Sequence, residues 1–372
     1  MMNKPLLLFS ILISTVFGLY SFFTSEVDWD AITYSGINLV AHGFSPEESH
    51  RLTYEMIRKE TTDSEFQNLI SATDYRVKNY ESSDVFKNQF YLHESKPLYH
   101  FLIYCLTIPD YSLTIFIMKL ISAVSGGLLL FLILIWLSKF AGNRAVILGM
   151  ILMILSGFST VAKLTNPDAL AGLLCLLGSY GFLKKKSKLL SVSVMMAVLL
   201  IRPNFAPFFM ALFAAEIFSS SNFRKSFFQH SVEILIVIAI PVLLAFISND
   251  YVWWRHFYHA MVEPVTVRNA VTESFNAEIY FSKLFQMAKW QLHSYSPFPV
   301  MMLLSALILW YEKTSKVIFY QILFLWCGIV VQFVLFPHPD HRFWMHYSGL
   351  ISIIFIASFF NNQNQIEKGK VE

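Results

Sequence analysis

Apolar residues run in blocks along the chain, at 5–23, 112–138, 145–162, 167–183, 189–201, 203–218, 231–249, 298–311, 317–336 and 343–360. A bilayer core of about 30 Å needs roughly 20 apolar residues in helical form, so these blocks predict membrane-crossing helices. The two halves of 189–218 are short for a crossing at about 1.5 Å per residue. Arg202-Pro203 divides them. Two short helices meeting at Arg202 are expected, because an arginine at a helix break is tolerable where backbone lines a wet cavity. Residues 97–108 are apolar but too short to cross, and Pro109-Asp110 ends them. They predict a helix lying at the membrane interface. The expected fold is an all-α polytopic membrane protein with about ten crossings and one domain over 1–360. Two long polar loops, 24–96 and 250–297, lie in it, the first carrying interfacial helices. The polar tail 361–372 is expected to be disordered.

Charge orients the bundle. With the N-terminus inside, the inner segments hold Lys4, Lys139, Arg144, Lys184, Lys185, Lys186, Lys188, Arg224, Lys225, Lys313, Lys316, Lys368 and Lys370. The short outer connections hold Lys163, Arg202 and Arg342. Positive residues concentrate in short cytoplasmic loops, so both termini are expected in the cytoplasm. All acids except Glu216, Glu233, Glu312, Glu367 and Glu372 then fall on the outer side. Trp253, Trp254, Trp310 and Trp344 lie near span ends, where interfacial aromatics collect.

Composition agrees. Apolar residues make up 55% of the 372, aromatics 16% and charged residues 14%, against roughly a quarter charged in soluble domains. A disordered chain would be charge-rich and poor in apolar residues. The 5–23 run lacks a small-x-small cleavage site at Ser25-Glu26-Val27 and is read as a retained first span. No Asn-x-Ser/Thr sequon occurs, since Asn166 precedes Pro167, which leans towards a bacterial inner membrane. Cys105, Cys175 and Cys327 have no metal or disulfide spacing and are expected to be buried hydrophobes. The Lys184–Lys186 run is a topology signal, and no nucleic-acid partner is expected.

Polar groups at membrane depth are costly, so their placement is informative. Five clusters fall on the outer side. Asp28-Trp29-Asp30, with Tyr34 after it, offers a carboxylate as general base towards a hydroxyl, or a pair for Mg²⁺ or Mn²⁺. His93-Glu94-Ser95-Lys96 offers a point charge for phosphate in Lys96 and metal ligands in His93 and Glu94. Thr165-Asn166-Pro167-Asp168 reads equally as a helix cap, with Thr165 or Asn166 capping. Arg202-Pro203 is the fourth. His338-Pro339-Asp340-His341-Arg342 brings base, acid and cation together before the last span. Each also has an ordinary structural account as loop polarity, capping or ion pairing.

In order along the chain, these clusters resemble the GT-C superfamily of membrane glycosyltransferases, such as the polyprenyl- and dolichyl-phosphate-mannose mannosyltransferases and the lipid A aminoarabinose transferases. Asp30 with Tyr34 matches the acidic motif that follows the first span there. Asp28 with Asn38-Leu39 and Gly43 fits a second form of that pattern, so the register stays open between Asp28 and Asp30. Lys96-Pro97-Leu98-Tyr99 is similar to a Lys-Pro-Pro-Leu segment without its second Pro. Asn166-Pro167-Asp168, Arg202-Pro203 and Arg342-Phe343 have family counterparts too. An adjacent Asp-Glu pair is missing.

The resemblance implies transfer of a sugar from a polyprenyl-phosphate carrier to an acceptor hydroxyl, with inversion, on the outer face. The acceptor would be a glycolipid, a polysaccharide or a protein. Asp28 or Asp30 would be the base, and Lys96, Arg202 and Arg342 would hold the phosphate. Tyr34, Asp168, Asp340 and His341 are further candidates. A divalent cation (Mg²⁺, Mn²⁺ or Zn²⁺) could share the phosphate charge, with His93 and Glu94 as ligands. One alternative is a lipid-linked polysaccharide polymerase or ligase. That class would carry a late loop rich in Arg and His, whereas 250–297 holds only Arg255 and Arg268 among arginines. A flippase for a lipid-linked sugar would favour repeats and balanced loops. A structural subunit without activity is the last alternative.

Overall fold

The computed structural model describes residues 4–183, 188–247, 253–262, 274–293, 297–312, 315–338 and 340–369. Lys184, Lys185, Lys186, Arg268, Lys313, Pro339, Lys370 and part of the 250–297 loop lie outside the described residues. The described residues are 86% helical, with no strand among them. The helices in chain order are α1 (Lys4–Phe23), α2 (Trp29–Ala41), α3 (Pro46–Glu60), α4 (Asp63–Ser71), α5 (Asp74–Glu81), α6 (Ser83–Asn88), α7 (Tyr91–Glu94) and α8 (Pro97–Thr107). Then come α9 (Thr114–Ala141), α10 (Ala145–Leu155), α11 (Phe158–Val161), α12 (Asp168–Leu183), α13 (Lys188–Ile201) and α14 (Ala206–Ser219). Last are α15 (Phe223–Ile247), α16 (Trp253–Met261), α17 (Ala277–His293), α18 (Phe298–Tyr311), α19 (Lys316–Leu335) and α20 (Met345–Gly369).

Among the described residues, four helical stretches are long and apolar enough to cross a membrane: α1, the segment Tyr111–Leu155, α15 and α19. The chain reverses within the second, because Gly142 adopts φ 53° and α10 packs back on α9. Shorter apolar helices cover Asp168–Leu183, Lys188–Ile201, Pro203–Ser219, Phe298–Tyr311 and Met345–Phe360. Small residues let α1 approach α9 closely. A Cβ on Gly127 would lie 2.9 Å from the Ser14 carbonyl oxygen. The other face of α1 presents Leu8, Leu12 and Val16, an apolar surface suited to lipid rather than water.

The 24–96 loop is a helical cap. Ser45 with Glu48 and Thr62 with Glu65 form capping boxes at α3 and α4, each satisfying two end donors reciprocally. Tyr54, Ile57, Phe66 and Phe86 give the cap its own buried apolar face. It sits on α2, where Gly36 leaves room for Phe86 and Phe90. The short helix α8 buries Tyr99, Ile103 and Thr107 against the bundle and leaves Phe101 and Leu106 outside.

Several expectations change. The tail continues α20 as helix through Gly369, since its Gln, Glu and Lys residues are good helix formers. Trp344 is a core residue, not an interfacial one: it is fully buried and its Nε1 donates to the His338 carbonyl at 3.0 Å. Cys175 is buried, but Cys105 and Cys327 are exposed. The 145–162 block is two helices, because Gly157 at φ 80° breaks it.

Candidate active site

The segment before α2 is lashed to the turn before α12. Glu26 N donates to Lys163 O at 2.9 Å, and Glu26 and Leu164 form an isolated parallel bridge. This places Asp28 at the N-cap of α2, where its Oδ1 accepts from Ala31 N at 3.1 Å. Its Oδ2 accepts from Asn166 Nδ2 at 2.6 Å, and its N–H donates to Thr165 Oγ1 at 3.0 Å. Asn166 Oδ1 in turn accepts from Asp168 N at 3.0 Å. So Asn166 orders the start of α12, while Thr165 turns to Asp28. Asp28 is thereby fully engaged in holding two helix starts together.

Arg342 stands where the acids meet. Asp340 caps the single turn His341–Phe343 and accepts from Arg342 N at 3.1 Å. Arg342 Nη1 lies 2.8 Å from Asp30 Oδ2, 3.6 Å from Asp168 Oδ2 and 3.7 Å from Asp28 Oδ2. Its Nε lies 3.1 Å from Asp340 Oδ2. Arg202 sits at the break between α13 and α14, only 5% exposed, with Nη2 2.5 Å from Asp168 Oδ1. That contact is an ion pair off hydrogen-bond alignment. Arg202 Nε is a buried donor without an acceptor among the described residues.

Lys96 completes the cluster from the start of α8. Its Nζ donates to Tyr34 OH at 2.6 Å and lies 3.2 Å from His93 Nδ1. No carboxylate pairs with it among the described residues. Burial, and then the Arg202 charge, push its ammonium down to about 7. Burial and the Lys96 charge hold His93 well below its ordinary value, so it is neutral. Burial alone would raise Asp30, but the Arg342 charge, with those of Lys96 and Arg202, outweighs it and holds the carboxyl well below the usual range. Asp28 is pushed the other way, to about 7, by burial and by the neighbouring Asp30 charge.

A cavity of about 920 Å³ opens beside these groups, within the usual size of ligand sites. Asp30, His93, Lys96, Arg202 and Arg342 form its polar end. Another part is an apolar slot between Val237, Pro241 and Leu244 of α15 and Cys327, Gly328 and Val331 of α19. Both helices pack on α14, whose Met210 and Ala211 floor the slot. Pro241 has no N–H for the Val237 carbonyl, a break in the ladder of α15 on the slot side.

The candidate residues thus divide. Asp30, Lys96, Arg202, Arg342 and His93 share the cavity wall, whereas Asp28, Asp168, Asp340, Tyr34 and His341 are not on it. Asp28, Asp168 and Asp340 back the arginines, and Tyr34 supports Lys96. His341 makes no side-chain hydrogen bond among the described residues. Among the described residues, no group of three or more His, Cys, Asp or Glu side chains converges as for a metal ion. His93 Nδ1 faces Lys96 and Glu94 is exposed. Trp29, Tyr75, Arg76 and Gln89 also line the cavity. Of these, Tyr75, Arg76 and Gln89 belong to no sequence cluster, and only the cap's folding brings them there. Comparison with known proteins finds no family model, no curated protein and no solved structure that matches the chain.

Proposed function

We propose that this chain is a GT-C-like membrane glycosyltransferase with about ten crossings, both termini in the cytoplasm and its polar cavity on the outer face of a bacterial inner membrane. The carrying observation is the convergence of Lys96, Arg202 and Arg342 at the polar end of an apolar slot, where Arg202 Nε is a buried donor without an acceptor among the described residues. Buried donors without partners are rare and call for a ligand. A phosphate at that point, with its apolar chain along α15 and α19, satisfies both features at once.

In this reading the donor is a polyprenyl-phosphate sugar. Its phosphate meets Arg202, whose Nε is without an acceptor among the described residues, together with the Arg342 and Lys96 charges, which stabilise the leaving charge. The acceptor hydroxyl oxygen attacks the anomeric carbon from the opposite side. The bond from that carbon to the phosphate oxygen breaks, and its electron pair leaves on the phosphate. Asp30, ionised and on the wall, takes the hydroxyl proton. Its Oδ2 is held by Arg342, and its Oδ1 accepts no hydrogen bond from a described residue. Asp28 serves as the cap that aims Asp30.

Mass spectrometry of the cell envelope tests the proposal. Cells lacking the protein should contain a component lighter by one glycosyl residue, restored by the wild type and not by Asp30→Asn. An unchanged spectrum counts against it.

A further inference from the structure

The cavity wall carries polar groups besides the proposed phosphate-binding ones. Gln89, on the cavity wall and 1% exposed, has an Nε2 without a hydrogen-bond partner among the described residues. Its Oε1 accepts only a long contact from Thr33 Oγ1, at 3.5 Å. A buried amide that leaves both its hydrogens unused costs stability unless a ligand takes them.

Arg76 lines the same cavity. Its guanidinium lies 4.9 Å from the Trp29 ring centroid, and Nη1 donates to the Asn68 carbonyl at 2.7 Å. No carboxylate pairs with it among the described residues, unlike Arg202 and Arg342. Tyr75 packs at the Trp29 ring, 5.7 Å between centroids. The stack fixes the guanidinium plane, and a fixed, unpaired fork is suited to a planar or tetrahedral oxyanion. Trp29, Arg76 and Asp30 line one cavity, so a molecule that brings a hydroxyl to Asp30 shares the space this pair walls.

We propose that Gln89 and Arg76, walled by Trp29 and Tyr75, form the acceptor subsite, and that the acceptor is a glycan carrying an oxyanion near the reacting hydroxyl. This rests on the glycosyltransferase reading of the cavity. Gln89 Nε2 donates to a sugar hydroxyl, and the remaining Arg76 N–H groups bind the oxyanion. The shared chemistry is that of a sugar carboxylate or a sugar phosphate.

Binding measured without any donor keeps this inference separate from the transfer reading. The purified protein in lipid nanodiscs is titrated with methyl β-glucoside, methyl β-glucuronide and methyl β-glucoside 6-phosphate, following tryptophan fluorescence. At least one anionic glycoside should bind about tenfold tighter than the neutral one, a factor typical of one charge-assisted contact. Whichever anion wins identifies the oxyanion. Arg76→Gln, folded by its thermal melt, should bind all three alike, and Trp29→Phe should lose the fluorescence change while keeping the preference by calorimetry. Equal affinity for neutral and anionic glycosides in the wild type overturns the proposal. So does a preference that survives Arg76→Gln, which would leave Arg76 as a staple between α2 and α5. Sugar transfer from a polyprenyl-phosphate donor, assayed separately, decides the underlying reading whatever the titration gives.

Discussion

Arg342 donates to Asp30 at 2.8 Å across 312 positions of sequence, joining the start of α2 to the turn before α20. The pair divides the work of the two acidic neighbours. Asp30 faces the cavity, while Asp28 is spent on capping. Asp30→Asn should therefore lower transfer by roughly 10²–10⁴-fold, the range of a lost general base, with the melting temperature little changed. Asp28→Ala should instead cost about 1–2 kcal/mol of stability, as for a lost N-cap. Steady-state kinetics and thermal melts on both variants check the division; equal kinetic losses would remove it.

Removing Arg342 strips Asp30 of the largest charge that lowers its pKa. In Arg342→Gln the acid limb of kcat/KM should move to higher pH, because the base now takes up a proton at higher pH. Transfer should also fall at every pH through loss of the phosphate contact. An acid limb that stays in place would separate Asp30 from that limb.

Lys96 gives the alkaline side. Its ammonium, pushed down to about 7, must be charged to hold phosphate, so kcat/KM for the donor should decline as pH rises through about 7. Stability runs the other way. The folded protein holds this proton less tightly than the unfolded chain, whose lysine titrates at 10.5. The folded state is therefore penalised below about 7, and the penalty fades as pH rises to 10.5. Lys96→Met should abolish the alkaline decline and raise the donor KM. pH profiles of wild type and variant, read beside their melts, test both signs.

The apolar slot predicts a chain-length effect. Val331 is a half-exposed wall residue of α19. Val331→Trp should cut kcat/KM for a polyprenyl-phosphate donor by roughly tenfold, a loss of apolar contact typical of a reshaped pocket, and spare a short-chain analogue. Equal losses for long and short donors would place the tail elsewhere.

Much of this was legible in the chain. The apolar blocks mark helices because helices satisfy their backbone internally, and the structure is helical at each of them, with 145–162 divided in two at Gly157. Scarce charge beside the apolar blocks singles out Asp30, Lys96, Arg202 and Arg342, since such groups are expensive near a bilayer, and the four share the cavity wall. The division between Asp28 and Asp30 was not legible. It depends on Asn166 and Thr165, which come to Asp28 through tertiary packing alone. Arg76 and Gln89 were hidden for the same reason: in a polar, helix-forming loop nothing local distinguishes a residue that lines a cavity. The polar tail reads as disordered by composition, but residues 361–369 extend α20 because they favour helix once it is nucleated by the apolar part.

The most direct test is release of the sugar from its carrier in detergent solution, where there are no two sides to cross. Purified protein is incubated with a panel of polyprenyl-phosphate sugars and cell-envelope glycans, and the free polyprenyl phosphate is counted. The account predicts that one donor yields polyprenyl phosphate together with a glycosylated product of inverted anomeric configuration, and that Asp30→Asn yields roughly a hundredth or less of either. An intact carrier with every donor, alongside movement of the same lipid across a sealed bilayer, would contradict it.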